Sequence, residues 1–355
     1  MAAGDSSGVE VRLNLPNKGR ALFASRDHAE GESLFEETPI VSAQFLWNKL
    51  YKYAACDHCL RSLETAQGMC RRLTNNPSLE LPHPECCPVD DSAYVSCPHC
   101  QKVYCSATCR DRAWSQYHMT LCRRASVSDD DHPLAKLEEA WRNIHYPPET
   151  CSIMLIARMI ATVKQAKDPS SALAAFSQFC HTTVNEEEEI AHKLLGETFQ
   201  SHLELLRSLV TGALYEEQLQ QWFTPEGFKS LFALIGTNGQ GIGTSSLSVW
   251  VKGCDLLTLG DEERESLDTL IDRVYDDLDK ACGQFLNCEG SGLYSLQSAC
   301  NHSCDANAEV TFPHNDFTLC VKALRAIKQG EEVCICYLSE CDVERSRHSR
   351  QKILK

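Results

Sequence analysis

No stretch of this 355-residue chain is apolar for long enough to cross a bilayer, which takes about 20 consecutive apolar residues in a helix. The longest candidate, Cys151 to Val163, is interrupted by Arg158 and reads as a buried helix. Met1 to Val11 has neither a basic start nor an apolar run, so nothing there reads as a secretory signal. Basic residues are scarce: 34 Lys and Arg face 49 Asp and Glu, a formal charge of -15. That balance disfavours general affinity for nucleic acid and favours basic protein segments as partners. No internal repeat and no basic import cluster is evident, so the cytoplasm is the expected location, with the nucleus left open. What the chain has in abundance is cysteine, 21 in all. Without an export signal these are expected to be metal ligands or free thiols in a reducing compartment. With 43% hydrophobic residues, a chain of this length is expected to fold into two or three packed units.

Eight of the potential ligands are paired: Cys56-x2-Cys59, Cys97-x2-Cys100, Cys105-x3-Cys109 and His118-x3-Cys122. Residues two or three apart can aim both side chains at one ion, so four pairs supply two tetrahedral Zn2+ sites. The order of the pairs, with Tyr104 before Cys105, resembles the MYND zinc finger. That resemblance implies crossed pairing, with Cys56, Cys59, Cys105 and Cys109 on one ion and Cys97, Cys100, His118 and Cys122 on the other. It also implies a proline-containing partner for the finger. The finger region, Cys56 to Arg124, balances eight Lys and Arg against seven Asp and Glu, without the basic footprint of a sequence reader. Closed zinc sites brace and recognise but do no chemistry.

Residues 9–47 read as short strands divided by turns at Pro16-Asn17-Lys18-Gly19 and Glu30-Gly31-Glu32. The 37 residues between Cys59 and Cys97 read as an insertion, helical at its start and loop-like later, with Cys70, Cys86 and Cys87 as spare thiols or further metal contacts. From Pro133 to about Ile235 the apolar spacing is helical, as in Leu134, Leu137 and Trp141, or Leu194, Leu195, Phe199, Leu203 and Leu206. Glu186 to Glu189 read as a solvated helix start. The glycines of Gly236 to Gly243 lack the lysine that a phosphate loop needs, Thr244 standing in its place. Asp261 to Lys280 reads as an amphipathic helix, and strands return after Phe285. Strands at both ends enclosing a zinc module and helices define an α+β chain whose β domain is interrupted and closed by its own termini.

The second strong signal is Gly290-Ser-Gly292-Leu-Tyr294, then Asn301-His302-Ser303-Cys304-Asp305-Ala306-Asn307, then Gly330-Glu331-Glu332-Val-Cys-Ile-Cys-Tyr337. Together with Lys18-Gly19-Arg20-Ala-Leu-Phe-Ala, these pieces resemble the SET domain of protein lysine methyltransferases. A MYND finger near the front of a SET domain characterises the SET and MYND domain-containing family. The resemblance divides the chain into residues 1–50, the first part of the SET fold; 56–122, the finger, with an insertion at 60–96; 125–235, a helical insert; 236–340, the core SET domain, with an insertion at about 247–282; and 341–355, the start of a post-SET region.

The resemblance implies methyl transfer from S-adenosylmethionine to a lysine of a histone or another protein, such as a ribosomal one. A free lysine, with a pKa of about 10.4, must lose its proton, and an apolar channel favours that by desolvation. The remaining task is alignment. By resemblance, Tyr337 orients the amine and borders the cofactor; Lys18, Gly19 and Arg20 wrap the methionine end, and Asn301 and His302 contact the amino acid and adenine portions. Asn238 matches a further cofactor-binding asparagine, or only shapes a turn. Tyr294 and Phe285 are candidate walls of the lysine channel or core residues. Ala21 replaces the family's second glycine, which β backbone tolerates and left-handed backbone would not. Cys304 would bind a third Zn2+ with three cysteines of a post-SET segment; the last residues supply only Cys341, so weak turnover is expected of these 355 residues. The competing reading is a zinc-dependent interaction scaffold with a vestigial SET site.

Overall fold

The computed structural model describes residues 8–16, 19–124, 131–146, 149, 151–180, 198–283, 286–338 and 340–354. The first strands are β1 (Val9–Leu15), β2 (Gly19–Ala24), β3 (Ser33–Glu37) and β4 (Val41–Gln44). A finger hairpin follows, β5 (Val95–Ser96) and β6 (Val103–Tyr104). The remaining strands are β7 (Gln240–Thr244), β8 (Cys288–Leu293), β9 (Asn301–His302), β10 (Ala308–Thr311), β11 (Leu319–Ala323) and β12 (Cys334–Ile335). The architecture is α+β.

Sheet pairing joins the two ends of the chain. β3 is the edge partner of β11, with Phe35 opposite Val321. β4 pairs with β8, Ala43 lying opposite Ser291, and β7 flanks the other side of β8. The short β9 and β12 run parallel, Asn301 beside Cys334 and His302 beside Ile335. Gly290 in β8 has a steric reason: a Cβ there would stand 2.4 Å from the Ala43 carbonyl oxygen and 2.8 Å from Leu60 Cδ1.

The glycine-rich segment behaves differently from its reading as the opening of the core SET domain. The helix Pro225–Asn238 continues through Gly236, three residues beyond the expected boundary at 235. Gly239 ends it where a Cβ would meet the Ile235 carbonyl oxygen at 2.5 Å, and β7 begins at once. The glycines therefore serve a helix end and a strand, and no phosphate loop forms. The other helices of the insert are Pro133–Ile144, Ile153–Gln165, Pro169–Ser177 and Phe199–Leu214; Glu186 to Glu189, Leu194 and Leu195 lie outside the described residues. No helix among the described residues is long and apolar enough to cross a membrane.

The two insertions, far apart in sequence, meet in space. Ala66–Thr74 from the first packs with Ser246–Asp255 and Asp261–Cys282 from the second around Met69, Cys70, Trp250, Leu267 and Leu278, a core separate from the main one. The Trp250 indole donates to the Pro82 carbonyl at 2.8 Å. Gly253 admits the Cys86 backbone, whose carbonyl oxygen would be 2.6 Å from a Cβ at that position.

Arg158, the charge that interrupts the apolar run, pins three units together. It lies in the buried helix Ile153–Gln165, is 4% exposed, and donates to the Ser42 carbonyl at the edge of β4. Its other nitrogen pairs with Asp57 of the finger at 3.1 Å, and its guanidinium covers the Tyr117 ring at 4.3 Å. Burial alone would raise the Asp57 pKa, but the positive charges of Lys102 and Arg158 outweigh it and hold the carboxyl at about 2. Removing one partner of a buried pair costs about 3–5 kcal/mol when the other charge is left uncompensated; Lys102 still faces Asp57 at 3.0 Å, so the low end, about 3 kcal/mol, is the upper bound here. Arg158→Met is therefore expected to lower stability by up to about that amount in denaturant unfolding; a loss below about 0.5 kcal/mol would show that the pin is dispensable.

Candidate active site and metal clusters

In the finger, the ligand atoms of Cys56, Cys59, Cys105 and Cys109 lie within 4.8 Å of one another, as do those of Cys97, Cys100, His118 and Cys122. Neighbouring sulfurs are 3.6 Å apart between Cys59 and Cys105 and 3.9 Å between Cys97 and Cys122, and His118 Nε2 stands 3.3 Å from the Cys100 sulfur. Zinc–sulfur bonds of about 2.3 Å at tetrahedral angles need sulfurs about 3.8 Å apart, so both clusters fit a tetrahedral ion. The local backbone is built for this. Leu60 and Gln101, each just after the second cysteine of a Cys-x2-Cys pair, have positive φ of 60° and 62°, and their N–H groups donate back to the Cys56 and Cys97 carbonyls. Such left-handed backbone at non-glycine residues costs energy and persists where the surroundings impose it. Ser106 caps the helix Ala107–Ala113 by accepting the Cys109 N–H at 3.2 Å, and a wide π turn at Trp114–His118 then brings His118 inward. Cys70, Cys86 and Cys87 belong to neither cluster. Removing metal with a strong chelator is expected to release the ions from both clusters and to lose the near-ultraviolet circular dichroism of buried Tyr104 and Tyr117; unchanged spectra after complete metal loss would contradict this assignment.

The second site forms where the ends of the chain meet. The β2 strand lies against residues 330–333: Ala24 N–H donates to the Glu331 carbonyl at 2.9 Å, and Val333 N–H to the Leu22 carbonyl at 2.8 Å. Asn301 closes the junction from the third side. Its amide nitrogen donates to the Arg20 carbonyl at 3.1 Å and to Glu332 Oε1 at 2.9 Å. Asn307, 3% exposed, locks the same segment by donating to the Glu332 carbonyl and accepting the Cys334 N–H at 2.8 Å.

Tyr337 follows β12 and stands at the open side of this junction, 55% exposed. Its N–H donates to His302 Nδ1 at 3.0 Å, its ring centre is 5.4 Å from the His302 ring, and its hydroxyl donates to the Cys300 carbonyl at 2.6 Å. Because Nδ1 accepts, a neutral His302 carries its proton on Nε2, directed at the Cys304 sulfur 3.2 Å away. Burial of the phenol end, reinforced by the neighbouring Cys300 thiol, pushes the Tyr337 pKa up to about 12, so the hydroxyl keeps its proton near neutrality.

Arg20, Asn301, His302 and Tyr337 thus gather at one junction, with Gly19 next to Arg20. Gly19 has φ of 66°, which favours glycine, and nothing stands within 4 Å of where its Cβ would be. Ala21 lies in the extended β2 strand, fully buried, and needs no left-handed backbone. Lys18 and Phe285 lie outside the described residues. Asn238 ends the helix Pro225–Asn238, its amide nitrogen donating to the Cys180 and Leu234 carbonyls at 2.6 and 2.9 Å. Tyr294 is fully buried with its hydroxyl on the Phe317 carbonyl at 2.5 Å, so it is a core residue and not a channel wall. Cys304 is exposed and belongs to no cluster of three or more ligands among the described residues.

Sequence reasoning missed Glu37 and Ser298. Glu37, at the end of β3, accepts the N–H groups of Leu296 and Gln297 at 3.0 to 3.1 Å and fixes the turn leading into Asn301. Ser298 in that turn accepts the Arg20 guanidinium at 2.8 Å. Burial raises the Glu37 pKa, opposed by those N–H groups and Arg20. An isolated glutamate in a strand carries no signal of this role; only the fold brings Leu296 to it.

Comparison with known proteins gives a consistent result. A SET domain match spans residues 19–338. The chain is 62% identical over 347 residues to the protein-lysine N-trimethyltransferase SMYD5 of Homo sapiens, covering 98% of this chain and 83% of that protein. It is 57% identical to the SMYD5 of Danio rerio, covering 99% and 84%. The histone-lysine N-methyltransferase SMYD3 of Mus musculus is 24% identical over 97% of this chain and 58% of its own length. The chain belongs to the SET domain family, in its SET and MYND domain-containing branch.

Glu37→Ala strands the N–H donors of half-buried Leu296 and buried Gln297; a fully buried donor left unsatisfied costs roughly 1–3 kcal/mol, a half-buried one less. A stability loss of about 2–4 kcal/mol is expected in denaturant unfolding, with most of it restored by Glu37→Gln, which keeps an acceptor oxygen; equal losses for the two variants would contradict the role given to the N–H contacts.

Proposed function

We propose that this chain is a protein-lysine N-methyltransferase that takes the methyl group of S-adenosylmethionine to a lysine side chain on a basic protein segment. The observation that carries this reading is Asn301, whose amide joins the Arg20 carbonyl to Glu332 in the crevice bordered by Tyr337. Among known relatives, the name protein-lysine N-trimethyltransferase supports the same chemistry and suggests trimethylation as its extent. When bound, the sulfonium cofactor supplies an electrophilic methyl group.

The residues that would hold the cofactor are Gly19 and Arg20 on one side and Asn301 and His302 on the other, with Lys18 and Asn238 as further candidates. The extended, buried Ala21 answers one of the two points that favour the vestigial scaffold; the post-SET cysteines remain the other. Tyr337 sets the acceptor amine. Its O–H is committed to the Cys300 carbonyl, so its oxygen lone pairs remain to receive an N–H of the neutral amine and turn the nitrogen lone pair towards the methyl group. A phenol with its pKa near 12 is no base at neutral pH; deprotonation of the lysine instead follows from desolvation and the approaching positive charge. Zn2+ is the ion the thiolate-rich clusters favour, one in each, bracing the finger beside the catalytic domain. The finger is also the surface for a proline-containing partner. An acidic chain, formal charge -15, suits a basic substrate such as a histone or ribosomal protein segment.

Tyr337→Phe tests this reading. Misaligning a reacting pair costs about a hundredfold in rate, so transfer of labelled methyl into a lysine peptide should fall at least that far, while calorimetric affinity for S-adenosylmethionine stays within about twofold. Undiminished transfer would remove Tyr337 from catalysis, and absence of cofactor binding by the parent chain would favour the scaffold.

A further inference from the structure

The satellite built from the two insertions holds Cys70, Cys86, Cys87, Cys254 and Cys282, and none of these belongs to a metal cluster among the described residues. Two of them come from opposite halves of the satellite and meet. Cys86 ends the single 3-10 turn Pro84–Cys86 of the first insertion and is half-buried. Cys254 stands in the last turn of the helix Ser246–Asp255 of the second insertion and is fully buried. We propose that Cys86 and Cys254 form a redox-sensitive pair, which a peroxide converts to a disulfide that fastens the two insertions together.

The close approach is built into the backbone. A Cβ on Gly253, the residue before Cys254, would stand 2.7 Å from Cys86 Cβ and 3.0 Å from Cys86 Cα, so glycine is what lets the helix and the turn cross here. Both sides of the crossing are held. The Cys86 N–H donates to the His83 carbonyl at 3.0 Å. Arg264 ties down the helix end by donating to the Cys254 carbonyl at 3.1 Å and to the Leu257 carbonyl at 2.7 Å. The Cys254 S–H is directed at the Cys86 sulfur; burial first, and that contact second, push the Cys254 pKa up to about 12. Cys87 is a poor rival partner for Cys86. Adjacent Cα atoms stand about 3.8 Å apart, closer than the roughly 4.4 Å at which unstrained disulfides begin, and the Cys87 sulfur faces the Ala66 N–H.

The half-buried Cys86 meets the oxidant first. Its thiolate attacks one oxygen of the peroxide, the O–O bond breaks, and a sulfenic acid forms; the hydroxide released takes up the proton that Cys86 gave. The Cys254 sulfur then attacks the Cys86 sulfur, the S–O bond breaks, and the hydroxyl leaves as water with the Cys254 proton. Two thiols have lost two hydrogens, and hydrogen peroxide has become two waters. Thiolates are the reactive form and burial keeps Cys254 protonated, so closure is the slow step. The product closes the chain from residue 86 to residue 254 into a loop, and the satellite no longer separates into the halves that share its core. In a reducing compartment such a bridge is transient, formed under oxidative load and undone by thiols.

The test treats the full metal-loaded chain with hydrogen peroxide, then applies mass spectrometry to peptides digested without reduction, and hydrogen exchange to the intact chain. A cross-linked peptide pair carrying Cys86 and Cys254 is expected, lighter by two hydrogens than the separate peptides. It should form before metal is released and disappear with dithiothreitol. Cys86→Ser and Cys254→Ala should each abolish the pair, while Cys282→Ser leaves it. In the oxidised parent, amide exchange in the helix Ser246–Asp255 should slow at least about tenfold, a change that Cys86→Ser does not show. Metal content and circular dichroism establish that each variant is folded. A bridge between Cys86 and Cys87, prolonged oxidation that leaves Cys254 a thiol, or loss of metal before any bridge would overturn the assignment. A bridge that leaves exchange unchanged would overturn the fastening of the insertions.

Discussion

One amide nitrogen holds the catalytic crevice together. Asn301 donates to the main chain of Arg20 and to the side chain of Glu332, two points separated by most of the sequence. Around it, β2 exchanges main-chain hydrogen bonds with residues 330–333, and β9 runs beside β12. These contacts are individually modest, each about 1 kcal/mol net. Their importance is geometric: they decide whether the residues that would grip the cofactor and the phenol that would orient the lysine share one cleft. Non-local pairing of this sort is slow to form, since a long loop must close before the contacts reward it.

The inserted units are bound into the same framework. Arg158 fastens the helical insert to the finger and to β4, while Thr244 at the end of β7 donates to the Leu60 carbonyl in the first metal knuckle at 2.7 Å. The finger is therefore braced from both sides of the chain. The two insertions combine into a satellite with a core of its own, so each supplies the apolar surface that the other lacks. Neither, taken alone, presents enough apolar residues to form an independent unit.

Much of this was legible in the sequence because it rests on short-range chemistry. Paired cysteines announce a metal knuckle wherever they fall, and the four N-terminal strands follow from alternating residues and turn signals. The buried helix around Arg158 was readable for the same reason. What could not be read depends on contacts across the fold. Glu37 became visible only once β3 was seen beside the turn at Leu296. Tyr294 had two roles open to it, and only the position of the Phe317 carbonyl decided between them. The helical pattern reads as ending at about Ile235, where glycines that disfavour helix begin, yet packing of Phe232, Leu234 and Ile235 carries the helix through Gly236.

Cofactor binding by this chain depends on the junction at Asn301. Isothermal calorimetry of S-adenosylmethionine with the parent chain and with Asn301→Ala measures it directly. Saturable binding by the parent chain is expected, with a loss of at least about tenfold in the variant, equivalent to about 1.4 kcal/mol, the variant still folded and metal-loaded. Equal affinity in the two proteins would contradict it.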